Sequence, residues 1–404
     1  MGADPPVSRV RPPGGGPVPP RVLRALVSGR SPGAEALLPL RRLLGQGEVT
    51  LHRSGREAMR VALTRAAART GRHEVVIPAY TCFSVPAAAV AAGLRIRLAD
   101  VDDRGRLDPA SIPPGALERA SAVVACNLFG VPEPLGPIRA RAEPAGALVI
   151  DDAAQALGGA SAEGPCGGRG APAVLSFGRG KPLSALGGGA LLWPAAGPDG
   201  VAARESTPGG QAAVPALGAG GRAAALLRAL AWNVARRPAV FGGLRRIPQL
   251  HIGETRFDPA FPRGPIAPPS LAILLAVLPG LEELCAATAR RVRALAERIP
   301  GGTGFEPLVA GEEEQGGYPR LVLRAPDAAT RDRALRALAD LGATGLYPTA
   351  LDRIEALGPY LVPGPAPRGA AELAARVLTL PAPEDDRELD EATGRLAAVL
   401  PRLG

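Results

Sequence analysis

One lysine is the residue of this sequence with the clearest chemical potential. The chain contains 47 Lys and Arg residues, and Lys181 is the only lysine among them. Guanidinium groups supply the positive charge everywhere else, so an amine at this position indicates a task that arginine cannot perform. Forming an imine is such a task, because it needs a primary amine that can lose its proton. Drift in an arginine-biased composition is the alternative interpretation.

Two further groups could serve the same chemistry. Asp152 follows an apolar run, and a carboxylate there is costly unless a cation or donor meets it, as a protonated pyridine nitrogen would. Ser176 lies five residues before the lysine, and Gly55 and Arg56 follow Ser54 at the start of a helical pattern, where a phosphate can be held. Taken one at a time, these residues could equally belong to an ordinary helix cap or to a loop without function. Together they fit one cofactor, pyridoxal 5'-phosphate.

The elements that must position these groups alternate between short apolar runs and helical segments. Runs of this kind are typical of a largely parallel sheet with helices on both faces, in which chemistry gathers at the carboxyl ends of the strands. The fold class predicted is therefore α/β. The predicted strands are 75–77, 96–99, 122–125, 148–150, 174–177, 190–193 and, in a second α/β portion, 320–323.

The pattern also predicts the division of the chain. Residues 1–20 are expected to form a disordered Pro/Gly-rich tail, and 21–265 a large cofactor-binding domain in which 223–265 is an atypical insertion. Residues 266–404 are expected to hold a long interdomain helix, from about Leu271 to Arg298, and a smaller C-terminal α/β domain.

The composition narrows the class of protein. A net charge of +9 would suit nucleic acid, but the arginines are scattered and aromatics are only 3%, which favours a solvated surface. The four cysteines have neither metal-ligand nor disulfide spacing, and the first residues lack a secretory signal, so a cytoplasmic protein is expected. Residues 223–247 are apolar and broken by arginines, which predicts a helix covering the core; peripheral membrane contact is the less favoured alternative.

Several motifs resemble the DegT/DnrJ/StrS sugar aminotransferases, which are fold-type-I pyridoxal-phosphate enzymes. The resemblance covers most of the chain after about residue 45. The block Asp-Asp-Ala-Ala-Gln with the downstream Ser-Phe and lysine is its most specific part. The motifs are 78–81, 128–130, 151–155, 176–177 with Lys181, 186–189 and 347–348.

The resemblance implies a role for each matching residue. Lys181 would form the Schiff base and later move the proton, Asp152 would bind the pyridine nitrogen, and Gln155 the ring hydroxyl. Ser176 and the backbone at Gly55 and Arg56 would bind the phosphate.

The chain also departs from the family pattern. Arg56 replaces a small hydroxyl residue, Asn127 stands where a histidine is common, and either Cys82 or Phe83 would cover the ring. Residues 223–269 lack the Asn-Tyr-Arg loop that reaches the neighbouring subunit in relatives. The resemblance therefore does not identify the substrate.

The function that the resemblance implies is transfer of an amino group from an amino acid, often glutamate, to a keto group. The acceptor expected is a nucleotide-linked or otherwise activated sugar, and the assembly expected is a homodimer without metal. Dehydration on the same cofactor is one alternative, which Lys181 disfavours because relatives that dehydrate replace the lysine. A non-catalytic family member acting as a sensor is the other, and the complete set of site residues argues against it.

Overall fold

The computed structural model describes residues 11–12, 14–28, 34–44, 47–194, 218–244 and 256–403. The helices are α1 (Pro20–Ser28), α2 (Leu38–Leu44), α3 (Gly55–Thr70), α4 (Ser84–Ala91), α5 (Leu135–Ala142), α6 (Ala219–Ala235), α7 (Pro238–Leu244), α8 (Pro268–Val277), α9 (Leu281–Glu297), α10 (Ala328–Ala337), α11 (Arg368–Arg376) and α12 (Asp386–Val399). The strands are β1 (Gly47–His52), β2 (Glu74–Pro78), β3 (Arg95–Ala99), β4 (Ala120–Cys126), β5 (Leu148–Asp152), β6 (Ala160–Ser161), β7 (Gly164–Pro165), β8 (Ala173–Ser176), β9 (Gly189–Pro194), β10 (Glu306–Pro307), β11 (Arg320–Arg324) and β12 (Val377–Pro381).

The main sheet has seven strands in the order β1-β9-β8-β5-β4-β2-β3. The five strands from β8 to β3 run parallel, while β9 is antiparallel to both of its neighbours. The sequence explains the central position of β4, since all seven of its residues are buried and none is charged. The predicted α/β fold with a mostly parallel sheet is confirmed.

Helix α3 lies on this sheet, against β8 and β9 among other strands. The Ser54 hydroxyl caps its first turn by accepting the Glu57 N–H at 3.1 Å, and Gly71 ends it in a left-handed conformation with φ 67°. The helix therefore begins beside the carboxyl ends of β5 and β8, where the candidate site lies.

A second, three-stranded antiparallel sheet has the order β10-β11-β12. Its own hydrophobic core includes buried residues of α9, α10 and α12. The predicted interdomain helix is two helices, because Pro279 lies in a short 3₁₀ turn between α8 and α9, which differs from the prediction of one helix. Residues 268–297 are long and apolar enough to span a membrane. However, residues 270–275 of α8 are buried inside the protein, and residues 271–275 belong to the hydrophobic core that α8 shares with β8, β9 and α6.

The described part of the N-terminal tail is packed rather than disordered. Residues 14–19, here called the N-terminal strap, run along α6. The Val18 N–H donates to Asn233 Oδ1 at 2.8 Å, and Trp232 Nε1 donates to Gly16 O at 3.1 Å. The reason is that α6 offers side-chain partners to a Pro/Gly segment that makes few hydrogen bonds with itself. Residues 1–10 and 13 of the predicted tail and residues 245–255 of the predicted insertion lie outside the described residues, as do residues 195–217.

Candidate active site

A cleft of about 410 Å³, counting space open to solvent, lies at the carboxyl ends of β5 and β8. The structure brings all six predicted site residues into its wall, although they come from three separate segments of the chain. The lining residues are Gly55, Arg56, Met59, Cys82, Ser84, Val85, Asp152, Ala154, Gln155, Val174, Ser176 and Lys181.

Asp152 ends β5 at the base of this cleft. Its Oδ1 accepts the Ala154 N–H at 3.1 Å, and the Cys126 Sγ lies 3.9 Å from its Oδ2. Burial raises the pKa of Asp152 to about 6, while the Ala154 N–H and the Lys181 charge act in the opposite direction. The charged form of this carboxylate would therefore be stabilised by a cation or a strong donor in the cleft.

A buried ion pair fixes the end of β5 from behind. Arg169 donates to Asp151 twice, Nη2 to Oδ1 at 2.7 Å and Nε to Oδ2 at 3.0 Å, and both side chains are fully buried. Asn127 Nδ2 donates to Asp151 Oδ1 at 2.7 Å and to the Asp152 carbonyl at 2.9 Å. Asp151 thus faces inward and leaves Asp152 to face the cleft. Arg169 lies in a Gly-rich loop, and no sequence pattern marked it as part of the site.

The opposite end of the cleft brings Gly55 against Ser176. A Cβ atom on Gly55 would lie 2.7 Å from the Ser176 Cβ and 2.9 Å from its Oγ, so only glycine allows this approach. The N-terminus of α3, with its free N–H groups and positive end, and a serine hydroxyl together form a cradle for an anion. The Glu57 carboxylate pairs with Arg60 at 2.7 Å. The helix is therefore capped by the Ser54 side chain, without a hydrogen bond between the Glu57 side chain and the Ser54 backbone.

The Arg56 guanidinium is engaged by other protein groups. It donates to Ser84 Oγ at 3.3 Å and to the Asp258 carbonyl at 3.0 Å, and it stacks on the Phe261 ring at 5.2 Å. Because these partners occupy the side chain, the contribution of Arg56 to an anion here would come from its backbone N–H.

Lys181 lies in the loop between β8 and β9. The Phe177 carbonyl anchors this loop by accepting the N–H groups of Ala185 at 2.9 Å and Gly187 at 3.1 Å. Gly180, at φ 76°, turns the chain just before the lysine. Lys181 lines both the cofactor-sized cleft and a larger adjoining cleft of about 1690 Å³, measured in the same way, that the N-terminal strap borders.

Tyr347 lies behind the cleft, in the hydrophobic core that packs on the main sheet. Its hydroxyl accepts Gln155 Nε2 at 3.2 Å, and its ring packs on Phe83 and Phe129 with centroids 6.1 and 6.3 Å away. Phe83 is thereby held in an aromatic cluster, and Cys82 is the neighbour that lines the cleft. The sequence marked Tyr347 only as part of a motif, since this contact crosses 192 residues.

The donor set of the cleft fits pyridoxal phosphate. It combines one primary amine, a carboxylate that needs a cationic partner, an amide beside it, and an anion cradle that a Cβ at Gly55 would fill. An aldehyde, a protonated ring nitrogen, a ring hydroxyl and a phosphate are the matching groups of that cofactor. The individual role of each residue stays a prediction.

The segment that contains this cleft matches a known protein family. Residues 39–195 match the model of the DegT/DnrJ/EryC1/StrS aminotransferase family, and this segment contains all six predicted site residues. A pleiotropic regulatory protein of Geobacillus stearothermophilus is 33% identical over 141 residues, 34% of this chain and 37% of that protein. A UDP-N-acetyl-3-dehydro-alpha-D-glucosamine 3-aminotransferase of Acidithiobacillus ferrooxidans is 31% identical over 140 residues, 34% of this chain and 38% of that protein. The aligned part thus spans well under half of these relatives' length.

The whole chain is similar in fold to solved aminotransferases. The sugar aminotransferase CalS13 from Micromonospora echinospora matches with a TM-score of 0.68 at 21% identity, covering 96% of this chain and 99% of that one. At this identity the likeness establishes the fold alone, which is the fold-type-I architecture predicted from the sequence.

Proposed function

We propose that this chain, whose residues 39–195 match the model of the DegT/DnrJ/EryC1/StrS aminotransferase family, is a pyridoxal-phosphate-dependent aminotransferase. It takes the amino group of an amino acid and passes it to a keto group. The observation that carries the proposal is that the only lysine of the chain shares one cleft with Asp152 and with the Gly55–Ser176 cradle.

Pyridoxal phosphate, when bound, supplies an aldehyde that exchanges amines and a ring that withdraws electrons. Lys181 Nζ would hold it covalently and then carry protons to and from the reacting carbon. Asp152 would keep a proton on the ring nitrogen, and Gln155 would donate to the ring hydroxyl while Tyr347 fixes the Gln155 amide. Ser176 and the backbone N–H groups of α3 would hold the phosphate.

The acceptor we propose is a keto group on a nucleotide-linked or otherwise activated sugar. Support comes from the relative named as a 3-aminotransferase of a UDP-linked dehydro sugar, and from the 1690 Å³ cleft beside Lys181, which offers room for a large acceptor. Another relative is named a pleiotropic regulatory protein, and for this reason a sensor role is the second candidate function. Cofactor loading together with failure to react with any amino acid would favour that candidate.

We further propose a cytoplasmic homodimer. Helix α6 exposes Leu227, Leu230 and Val234 along one side, an apolar stripe that a second copy would cover. Lipid contact by the same helix stays the less favoured proposal, because Arg236 is engaged by Glu384 and by the Gly15 carbonyl. Size-exclusion chromatography and sedimentation with anionic vesicles separate the two.

Borohydride reduction of the purified holoenzyme, followed by peptide mapping, tests the function. The expected result is cofactor attached to the peptide containing Lys181, and a change of the absorbance spectrum when an amino acid is added. Lys181→Arg is the matched control, since it keeps the charge without the primary amine. Absence of label from the Lys181 peptide of the wild type would overturn the proposal.

A further inference from the structure

The loop that carries Lys181 contains a residue in an unfavourable backbone conformation. Leu186 is left-handed, with φ 59°, which is sterically costly for a residue that has a side chain. Such a conformation persists only where contacts hold it. The Leu186 N–H donates to the Ser184 hydroxyl at 3.2 Å, and the Leu186 side chain is buried in the core shared by β8, β9, α6 and α8. The Leu186 carbonyl finds its partner outside the loop.

Arg228 of α6 is that partner. Its Nη2 donates to the Leu186 carbonyl at 2.5 Å, and its Nη1 donates to Ser270 Oγ at 3.2 Å. The packing here is close, because a Cβ atom on Gly187 would lie 3.0 Å from Ser270 Oγ and 3.5 Å from Arg228 Nη2. The guanidinium therefore joins the end of the Lys181 loop to the first turn of α8.

Helix α6 contacts this loop on both sides of Lys181. Arg179 lies two residues before the lysine, and its guanidinium carbon lies 5.8 Å from the ring centroid of Trp232 in α6. Leu186, which Arg228 binds, lies five residues after the lysine. The helix lies outside the segment that matches the family model. The loop is thus held by an element that the sequence predicted only as a cover for the core.

The charge of Arg228 has no carboxylate partner among the described residues, and binding of an anion is therefore the alternative role. Burial, together with the neighbouring charges of Arg179 and Arg53, lowers the pKa of Arg228. However, its two terminal nitrogens already donate to neutral oxygen atoms of the protein, and the residue lines neither cleft. These contacts favour a hydrogen-bond donor that serves the loop.

We propose that Arg228 is a positioning residue for Lys181. By holding the Leu186 carbonyl, it fixes the loop in the conformation in which Lys181 lines the same cleft as Asp152 and Ser176. The inference rests on the aminotransferase function proposed above and adds a residue that acts on the lysine from outside the cleft. Steps that use the amine should slow when Arg228 is lost, since a small displacement of a reacting group lowers its rate steeply.

The first test compares two forms of the cofactor on the full chain after its cofactor has been removed. Pyridoxal phosphate can bond to Lys181, whereas pyridoxamine phosphate lacks the aldehyde and can only occupy the cleft. Arg228→Met should slow the attachment of pyridoxal phosphate, measured by borohydride trapping, about 10- to 100-fold. The half-saturating concentration of pyridoxamine phosphate should change by no more than about twofold, because the variant keeps Asp152 and the Gly55–Ser176 cradle.

A matched control removes the same charge at a neighbouring position. Arg237 directly follows the C-cap of α6 and is exposed, and its side chain makes no hydrogen bond or ion pair among the described residues. Arg237→Met should therefore leave the attachment of pyridoxal phosphate and the affinity for pyridoxamine phosphate unchanged. If Arg228→Met does not fold, Arg228→Gln replaces it, with the same direction of change expected because the shorter amide does not span the distance to Leu186.

A second readout separates positioning from a loss of fold. The rate at which L-glutamate changes the cofactor absorbance of the holoenzyme should fall about 10- to 100-fold in Arg228→Met, while its half-saturating concentration stays within about twofold. Guanidinium chloride at a non-denaturing concentration should restore part of this rate, because the free ion can donate to the Leu186 carbonyl in place of the lost group. A damaged fold would not recover in this way.

Equal attachment rates of pyridoxal phosphate in the Arg228 and Arg237 variants would overturn the inference. So would a parallel loss of affinity for pyridoxamine phosphate, which would mean that Arg228 supports the cradle or the whole fold instead of the lysine. Failure of the proposed function is distinguishable, since the wild type would then carry no cofactor on Lys181, or would carry it without reacting with any amino acid.

Discussion

The two ends of the site are built in different ways. The cofactor end consists of Gly55, Asp152, Gln155 and Ser176, which lie at strand ends within the segment matched by the family model. The other end, here called the strap end, consists of the N-terminal strap, α6 and Arg320 of β11, all outside that segment. The first end follows from local rules of α/β sheets, whereas the second depends on contacts between segments more than 100 residues apart.

The forces at the two ends also differ. The cofactor end depends on buried charge, with Asp151 and Arg169 both fully buried behind Asp152. The strap depends on single hydrogen bonds between its backbone and α6 side chains, such as Trp232 Nε1 to Gly16 O at 3.1 Å. Changes at the cofactor end should therefore be large and should affect chemistry or folding. Changes at the strap should be small and local.

The largest effect is expected at Asp152. Asp152→Asn should keep cofactor but lower turnover by about 10³-fold or more, since an amide cannot stabilise a protonated ring nitrogen; this is about 4 kcal/mol in the activation barrier. Steady-state turnover measures the loss, and the cofactor absorbance of the same preparation shows how much cofactor the variant has kept. Near-normal turnover would show that the Asp152 carboxylate does not serve the ring nitrogen.

A smaller loss, in stability, is expected at Arg169. Arg169→Met should lower the free energy of unfolding by about 3 kcal/mol, because it leaves the Asp151 charge buried without its partner. Urea unfolding of the cofactor-free protein measures the loss. The double variant Arg169→Met with Asp151→Leu should recover part of it, since no charge then remains buried. A loss under 1 kcal/mol would mean that water or the Asn127 amide replaces the arginine.

The sequence could predict the cofactor end because each residue follows a recognisable element. Asp152 ends an apolar run, and Lys181 is unique by composition. Five strands were missed: β6, β7 and β10 have only two residues each, and β1 and β12 escaped for reasons of sequence. β1 mixes Gly, Glu, Thr and His and so lacks an apolar run, and β12 follows α11 directly, without a Gly or Pro to mark the change.

The strap end could not be predicted in the same way. Nothing near Arg320 in the sequence distinguishes it from the other arginines. That it has no carboxylate partner among the described residues is seen only in the fold, where Gly14, Gly180 and Thr379 lie around its guanidinium. The strap likewise has the composition of a disordered tail, and its order comes from Trp232, Asn233 and Arg236 of α6 and its C-cap.

The smallest expected effect separates the two ends most cleanly. Asn233 holds the strap by two hydrogen bonds to Val18, accepting its N–H at 2.8 Å and donating to its carbonyl at 3.0 Å. Asn233→Ala should cost the strap about 1 kcal/mol, because water can replace part of both bonds at this partly buried position. Hydrogen exchange of a peptide covering residues 14–22 should then be about fivefold faster. Ala224→Gln, at an exposed position of the same helix outside the Leu227–Leu230–Val234 stripe, is the control and should leave the exchange unchanged. The half-saturating concentration of pyridoxal phosphate should stay within twofold in both variants, since no cofactor-end residue contacts Asn233. Faster strap exchange accompanied by an equal loss of cofactor affinity would show that the two ends form one cooperative unit.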